Sequence, residues 1–307
     1  MQHTKIRLGI DLGGTKIEII ALDDQGKCLY RTRTATPINN DSETQYSQIL
    51  STIQTLILNC EKQLDCFNLP VGIGIPGAIS QTTGLVKNAN TTCLIGKDFL
   101  GDLTKRLNRI IKIENDANCF ALSEATDGAG QGLNSVFAVI LGTGVGGGWV
   151  INQNLHIGSN AISGEWGHNP LPYPSELDEP KQTCYCGKLG CIETYLSGPG
   201  FCRQTQLQFN YQASCPDLMT NPDSNQTANK SYQLYVDRLA RSLAGVINIM
   251  DPNVIVLGGG VSNVSSLYQD VTAVWGNYIF SDSINTQLLK NRHGDSSGVR
   301  GAAWLNK

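Results

Sequence analysis

Three cysteines crowd into one short segment of the chain, CYCGKLGC, as Cys184, Cys186 and Cys191. His168 lies upstream in the segment GEWGH, where Glu165 adds a carboxylate. Three thiolates and one imidazole are the ligand set of a closed, tetrahedral structural zinc site, and the two glycines of the cysteine segment would let the chain curl around an ion. The spacing is not the usual zinc-finger pattern, so free thiols or a redox pair remain alternatives. If His168 binds zinc through one ring nitrogen, we expect the other nitrogen to face a substrate.

Two glycine-turned hairpins, DLGGTK and LGTG, could bind phosphate, because glycines without Cβ atoms let backbone N–H groups converge on an anion. Thr15 and Thr143 would add hydroxyl donors, and Lys16 would add a positive charge. Asp11, at the end of the first predicted strand, could hold Mg²⁺ through water. Ordinary tight turns of type I′ or II′ are the alternative, because glycine is expected there too. The occurrence of two such hairpins with a third glycine cluster, Gly258–Gly260, favours the phosphate interpretation.

Asp116 lies in the segment ENDAN, where a predicted buried strand, IIKI, gives way to a predicted helix. Aspartate is a favoured helix N-cap, so a purely structural role is one interpretation. The other is that Asp116 accepts the proton of an attacking hydroxyl, which phosphoryl transfer to an alcohol requires. The spacing alone supports the two interpretations equally.

The composition excludes several classes of protein. The chain has 307 residues, with 23 Lys and Arg against 26 Asp and Glu, which gives a net charge of −3. A mildly acidic chain lacks the basic face of an electrostatic nucleic-acid binder. No stretch approaches the roughly 18 uninterrupted apolar residues of a membrane-spanning helix, and no secretory signal is visible. We therefore expect a cytoplasmic protein with reduced thiols that binds neither nucleic acid nor membrane.

The elements that must position these residues alternate between strands and helices. Residues 5–33 predict three short strands, and apolar side chains at helical spacing predict a helix at about 42–64. The arrangement of strand, glycine turn and strand recurs at 135–152, which indicates two related halves. Residues 203–231 are rich in Asn and Gln and predict a loop-rich insertion before a long helix that begins near Tyr235. Strands interleaved with helices indicate the α/β class.

Seven segments follow one another along the chain: DLGGTK, GIGIPG, ENDAN, ILGTGVGGG, GEWGH, CYCGKLGCIE and VIVLGGG. In this order they resemble the ROK family of sugar kinases and sugar-responsive repressors. The resemblance implies the actin/hexokinase-like (ribonuclease H-like) ATPase fold, with two α/β domains around a cleft. We expect an N-terminal domain at 1–117 plus 291–307, and a C-terminal domain with the zinc site and sugar-binding loops at 118–290. Repressors of the family add an N-terminal helix-turn-helix domain, and the few residues before the first predicted strand lead us to expect a kinase instead.

The resemblance also implies roles for single residues, with Asp116 as the catalytic base. The positions that match sugar contacts are Asn88, Asn90, Asn115, Asp116, Glu165, His168 and Glu193. The positions that match contacts to the cofactors ATP and Mg²⁺ are Asp11, Gly13, Gly14, Thr15, Lys16, Thr143, Gly144, Gly258, Gly259 and Gly260. The positions that match ligands of structural zinc, Zn²⁺, are His168, Cys184, Cys186 and Cys191. The 15 residues between His168 and Cys184 make a longer spacing than is usual in that family.

The expected activity is that of an ATP-dependent hexose kinase. The segments GEWGHNPLP and HGDSSGVRGAAWL look most like bacterial fructokinases that also accept mannose, so the expected reaction converts D-fructose to fructose 6-phosphate. Trp166, where N-acetylglucosamine kinases of the family tend to carry Phe, also favours fructose. Alternatives within the family are N-acetylglucosamine kinase and glucokinase, and alternatives of another class are a non-catalytic sugar sensor and a zinc-stabilised scaffold. The expected partners are a hexose, ATP and, by resemblance, a second copy of the chain in a homodimer.

Overall fold

Strands and helices alternate along residues 5–220 and 225–307, which the computed structural model describes. The strands are β1 (Arg7–Leu12), β2 (Lys16–Leu22), β3 (Cys28–Ala35), β4 (Val71–Ile75), β5 (Ala78–Ile79), β6 (Val86–Lys87), β7 (Ile111–Asn115), β8 (Ser135–Leu141), β9 (Val145–Ile151), β10 (Asn154–Leu155), β11 (Val254–Gly258) and β12 (Gln287–Lys290). The α-helices are α1 (Ser42–Leu64), α2 (Phe99–Leu107), α3 (Asp116–Thr126), α4 (Glu193–Leu196), α5 (Gly198–Phe209), α6 (Cys215–Thr220), α7 (Gln226–Met250), α8 (Ser266–Val274) and α9 (Ser297–Trp304). Within these described ranges, every helix is too short or too polar to span a membrane.

Contacts divide the described residues into two units. The first comprises the residues up to Gly128 together with Ser159–Ala161 and Asp295–Lys307. The second comprises Ala129–Gly158 and Ile162–Gly294. Each unit has its own five-stranded sheet and its own apolar core.

The first unit extends beyond the predicted boundary between residues 117 and 118, which lies inside α3. The reason is that α3 packs against α9 in the same unit. The Ser297 hydroxyl of α9 donates to Glu124 Oε1 of α3 at 2.8 Å. Arg300 of α9 forms an ion pair with Asp127, directly after α3. These contacts hold the whole of α3 with the first unit.

The sheet of the first unit has the strand order β3-β2-β1-β4-β7. β1, β4 and β7 run parallel, and β2 and β3 are antiparallel to their neighbours, which confirms the three predicted strands. Asp11 lies opposite Gly74, and Gly74 lies opposite Glu114, so the carboxyl ends of the parallel strands share one edge. The structure confirms the predicted helix at 42–64 as α1, which begins after an Asp41 N-cap that accepts from Thr44 N–H at 2.8 Å.

The sheet of the second unit has the strand order β10-β9-β8-β11-β12. β8 and β9 form an antiparallel hairpin, and β8, β11 and β12 run parallel. Both sheets therefore contain a glycine-turned hairpin whose first strand has a parallel neighbour, which is the repeat predicted from residues 135–152. The carboxyl ends of the parallel strands again share one edge.

The prediction of a loop-rich insertion at 203–231 is wrong for most of its described residues. They lie in α5, in α6 and at the start of α7, which begins at Gln226 rather than near Tyr235. Residues 221–224 lie outside the described residues. Capping explains the difference, because Ser197 accepts from Gly200 N–H at the start of α5 and Asn225 accepts from Ala228 N–H at the start of α7. Polar side chains then occupy the exposed faces of helices whose buried residues pack into the core.

Candidate active site

The first glycine turn, Gly13–Thr15, joins β1 to β2 at the shared edge of the parallel strands. Gly13 N–H donates to Lys16 O at 2.9 Å, and the Thr36 hydroxyl donates to Gly13 O at 2.7 Å. Gly14 and Thr15 are exposed, and none of the three turn residues has a positive φ. The turn is therefore not of type I′ or II′, because both types need left-handed backbone. Its two exposed residues are available to a ligand.

Asp11 lies two residues before this turn, near the end of β1. Its pKa is raised to about 7, chiefly by burial and then by the negative charges of Asp116 and Glu18, against the positive charge of Lys16. A carboxylate repelled by neighbouring carboxylates is stabilised by a nearby cation, and Mg²⁺ prefers oxygen ligands of this kind. The residues around Asp11 therefore fit the predicted Mg²⁺.

Asn115 is the N-cap of α3, and Asp116 is the first residue of the helix. Asn115 Oδ1 accepts from Ala117 N–H at 2.9 Å, and its Nδ2 donates to Gly77 O at 2.9 Å. Asp116 is exposed, and its Oδ1 also accepts from Ala117 N–H, at 2.8 Å. Asn115 fills the N-cap position, and Asp116 follows it in the first turn, where a negative charge also suits the start of a helix. An exposed carboxylate at this point can accept a proton from a substrate hydroxyl.

Asn88 and Asn90 are exposed on the loop after β6, and Ala89 between them is buried. The loop lies against Gly77, where an added Cβ would stand 2.9 Å from Ala89 Cα. Gly77 O also accepts from Asn115 Nδ2. The first unit thus brings three of the predicted sugar contacts to one backbone segment.

The second glycine turn, at Thr143 and Gly144, joins β8 to β9 in the second unit. Glu193, the first residue of α4, accepts from Val145 N–H through Oε2 at 3.0 Å. A Cβ on Gly144 would lie 2.8 Å from that oxygen, so glycine at 144 makes room for the carboxylate. The structure therefore joins a predicted sugar contact to the predicted phosphate turn.

The third glycine segment, Gly258–Gly260, begins at the last residue of β11, which neighbours β8 in the sheet. Gly258 lies opposite Ile140 of β8. Gly259 has a φ of 81°, and an added Cβ would stand 2.3 Å from Leu141 O, so only glycine fits there. The second and third glycine segments thus lie side by side at the ends of neighbouring parallel strands.

The segment GEWGH folds as a short 3-10 turn at Trp166–His168. Trp166 is 5% exposed, donates through Nε1 to Gly146 O at 3.0 Å and packs edge-on against Phe137. Trp166 is therefore a core residue, and it holds the turn against β9. Glu165 is exposed and His168 is half-buried, so the turn leaves both side chains accessible.

The four predicted zinc ligands converge in the second unit, with all their ligand atoms within 4.8 Å of one another. Cys186 Sγ lies 3.6 Å from Cys191 Sγ, and Cys184 Sγ lies 3.5 Å from His168 Nδ1. Tetrahedral zinc with Zn–S bonds near 2.3 Å separates two sulfurs by about 3.8 Å, and a sulfur from a nitrogen by about 3.6 Å. Burial, followed by the hydrogen bond with Cys186, raises the pKa of Cys191 to about 12, and a bound cation would stabilise its thiolate. The residues present fit a zinc ion.

The long stretch between His168 and Cys184 does not keep these ligands apart, because backbone pairing brings its two ends together. Pro170 forms an antiparallel bridge with Cys191. Gly187 and Gly190 have φ values of 85° and 70°, as predicted for a chain that curls around an ion. The residues between the paired segments form a loop.

Asp178 anchors this loop to α7, which the sequence did not predict. The residue is 0% exposed, and its Oδ1 accepts from Arg238 Nε at 2.8 Å. Its Oδ2 accepts from Arg241 Nη1 at 3.1 Å and from Ser175 N–H at 2.7 Å. One acidic residue in a polar loop carries no signal for this role, because its partners stand 60 and 63 positions further along the chain.

The second ring nitrogen of His168, which we expect to face a substrate, has a polar neighbour. His168 Nε2 lies 2.9 Å from the hydroxyl oxygen of Tyr185, a residue that the sequence did not single out. The one feature of the sequence that could have pointed to Tyr185 is its position between two predicted zinc ligands, Cys184 and Cys186. Any substrate group that approaches this nitrogen meets the tyrosine hydroxyl as well.

Comparison with known proteins decides the family. The sequence matches the ROK family over residues 7–307. The chain belongs to the ROK family. The chain is 39% identical to an N-acetyl-D-glucosamine kinase of Photobacterium profundum, over 97% of this chain and 98% of that protein. It is 38% identical to an N-acetyl-D-glucosamine kinase of Pasteurella multocida, over 98% and 99% of the two chains.

Solved structures of ROK proteins share the fold. A ROK hexokinase from Thermus thermophilus superposes with a TM-score of 0.84 at 25% identity, covering 97% of this chain and 96% of that one. A ROK family glucokinase from Streptomyces griseus, solved with glucose and AMPPNP, superposes with a TM-score of 0.74 at 25% identity and covers 98% of both chains. These similarities confirm the expected α/β fold of the actin/hexokinase type, and they support an ATP-dependent sugar kinase.

Proposed function

We propose that this ROK protein is an ATP-dependent kinase for N-acetylglucosamine. The observation that carries the proposal is the similarity to N-acetyl-D-glucosamine kinases at 38% and 39% identity over nearly the whole chain. The comparisons do not support the fructose preference expected from the sequence. They favour the alternative of the same family instead.

The position of Trp166 weakens its value as an indicator of fructose. Its indole ring is buried against Phe137, and its N–H group already donates to Gly146 O. A side chain bonded in this way has no donor left for a sugar. The difference between Trp and Phe at this position therefore concerns core packing, and it carries little information about the substrate.

Asp116 is the proposed catalytic base. It accepts the proton of the sugar 6-hydroxyl while that oxygen forms a bond to the γ-phosphorus and the bond to ADP breaks. Asn115 supports this arrangement, because it caps α3 and ties the helix start to Gly77. Bound Mg²⁺ would neutralise phosphate charge, and Asp11 is the residue proposed to hold it through water.

The remaining assignments follow the glycine turns and the polar side chains beside them. The residues proposed to contact ATP are Gly13, Gly14, Thr15 and Lys16 in the first unit, and Thr143, Gly144 and Gly258–Gly260 in the second. Glu165 and Glu193 are proposed to accept hydrogen bonds from sugar hydroxyls, because carboxylates form strong charge-assisted bonds. Val145 N–H holds one oxygen of Glu193, which fixes the direction of the other. Asn88 and Asn90 are proposed to contact the sugar from the loop after β6.

Zinc is proposed as a structural ion held by His168, Cys184, Cys186 and Cys191. A bound zinc ion would hold the turn that contains His168 against the cysteine segment, which leads into Glu193. Elemental analysis of freshly purified protein tests it, with one zinc per chain expected and no zinc contradicting it. A homodimer and a cytoplasmic location remain predictions.

The experiment that tests the substrate is a comparison of kcat/KM for N-acetylglucosamine, glucose, mannose and fructose with Mg·ATP, in a coupled assay of ADP release. We expect the highest value for N-acetylglucosamine, and a highest value for fructose would overturn the proposal. Sugar binding without turnover of any of the four would support the sensor alternative. Neither binding nor turnover would support the scaffold alternative.

A further inference from the structure

Tyr185 stands between two of the proposed zinc ligands and contacts a third. Its hydroxyl oxygen lies 2.9 Å from His168 Nε2. The two rings are nearly perpendicular, at 88°, with their centroids 5.0 Å apart. Tyr185 is nevertheless 81% exposed, so its ring buries little apolar surface. The polar contact therefore accounts for its place better than packing does.

The other nitrogen of the same imidazole faces the cysteine cluster, with Nδ1 3.5 Å from Cys184 Sγ. A neutral imidazole carries its proton on one nitrogen and a lone pair on the other. Metal binding at Nδ1 needs the lone pair there, so the proton must be on Nε2. The Nε2–H group can then donate to the Tyr185 hydroxyl oxygen, and this hydrogen bond holds the ring in its orientation.

We propose that Tyr185 is a positioning residue for the metal cluster, because its hydroxyl holds the His168 ring so that Nδ1 points at the thiols. The inference rests on the zinc site of the proposed function.

The backbone turn at Cys184–Lys188 does not depend on the Tyr185 side chain. Cys184 N–H donates to Lys188 O at 2.8 Å, and Gly187 N–H donates to Cys184 O at 2.9 Å. Tyr185→Phe keeps the ring and these backbone bonds and removes only the hydroxyl. Tyr173→Phe is the matched control, because Tyr173 is 62% exposed in the neighbouring loop and stacks on Tyr278 through its ring.

The test measures zinc release from the purified holoprotein into an excess of a coloured chelator. Partners of metal-bound histidines typically change metal affinity about 10- to 100-fold, so we expect Tyr185→Phe to release zinc at least about 10-fold faster than wild type. Tyr173→Phe should release it at the wild-type rate. Equal release rates for Tyr185→Phe, Tyr173→Phe and wild type would overturn the inference. Wild type that never contains zinc would instead contradict the zinc site itself.

Discussion

Replacement of Asp178 by asparagine should destabilise the second unit by about 3–5 kcal/mol. Burial alone would raise the pKa of Asp178, but hydrogen bonds from Arg241, from Ser175 N–H and from Arg238 outweigh it and lower the pKa to about 2. Compared with the ordinary value of 3.8, this pKa corresponds to about 2 kcal/mol of stabilisation of the charged form. Asparagine also leaves Arg238, which is 2% exposed, without its counter-charge, and breaking a buried ion pair costs about 3–5 kcal/mol.

Urea unfolding followed by tryptophan fluorescence measures this loss, because Trp166 and Trp275 lie in the core of the second unit. Glu176→Gln is the control: it lies two residues away, is exposed, and should change stability by less than about 0.5 kcal/mol. A loss below about 1 kcal/mol for Asp178→Asn would refute the argument that the buried cluster anchors the loop.

The pH dependence of the difference gives a second check on Asp178. Its folded pKa lies below the unfolded one, so its contribution is present above about pH 4 and is lost as the pH falls toward 2. The stability of wild type and of Asp178→Asn should therefore converge over this range. Other carboxyl groups affect both proteins alike, so a difference that stays constant down to pH 2 would contradict the assigned charge.

Three further predictions concern the site. Gly144→Ala places a methyl group 2.8 Å from Glu193 Oε2, which should displace the carboxylate from Val145 N–H. Loss of this hydrogen bond to a charged group should raise the sugar KM about 10-fold. An unchanged KM would contradict the role of the contact between Val145 and Glu193. Trp166→Phe leaves Gly146 O without its donor and should cost about 1 kcal/mol in urea unfolding, while the ratio of kcat/KM for fructose and N-acetylglucosamine stays unchanged; a shift toward either sugar would show that the indole reaches the substrate. Removal of zinc by a chelator should raise the sugar KM more than the ATP KM, and equal KM values before and after removal would contradict a structural role near the sugar contacts.

The sequence predicted features that depend on short-range patterns. The apolar spacing of α1 predicted its bounds, and the crowding of Cys184, Cys186 and Cys191 predicted a cluster that the fold brings together. The glycine turns were also placed correctly, because a hairpin turn is a local property of the chain.

Features that depend on tertiary contacts could not be predicted. Asp178 acquires its role only when α7 brings two arginines to it across 60 or more positions. The helices α5 and α6 were missed because their polar faces resemble a loop when the buried face is not considered. Trp166 was taken as a mark of substrate preference, since the sequence does not show that its indole turns into the core.

The most direct test of the central claim is the rate of phosphoryl transfer to N-acetylglucosamine by Asp116→Asn. Asp116 is exposed at the first position of α3 and Asn115 provides the cap, so the variant should fold and bind the sugar. Loss of a general base should lower kcat about 100- to 10,000-fold, whereas Asp282→Asn, the same change at an exposed loop position, should leave it unchanged. A folded Asp116→Asn protein that keeps the wild-type kcat would contradict the account.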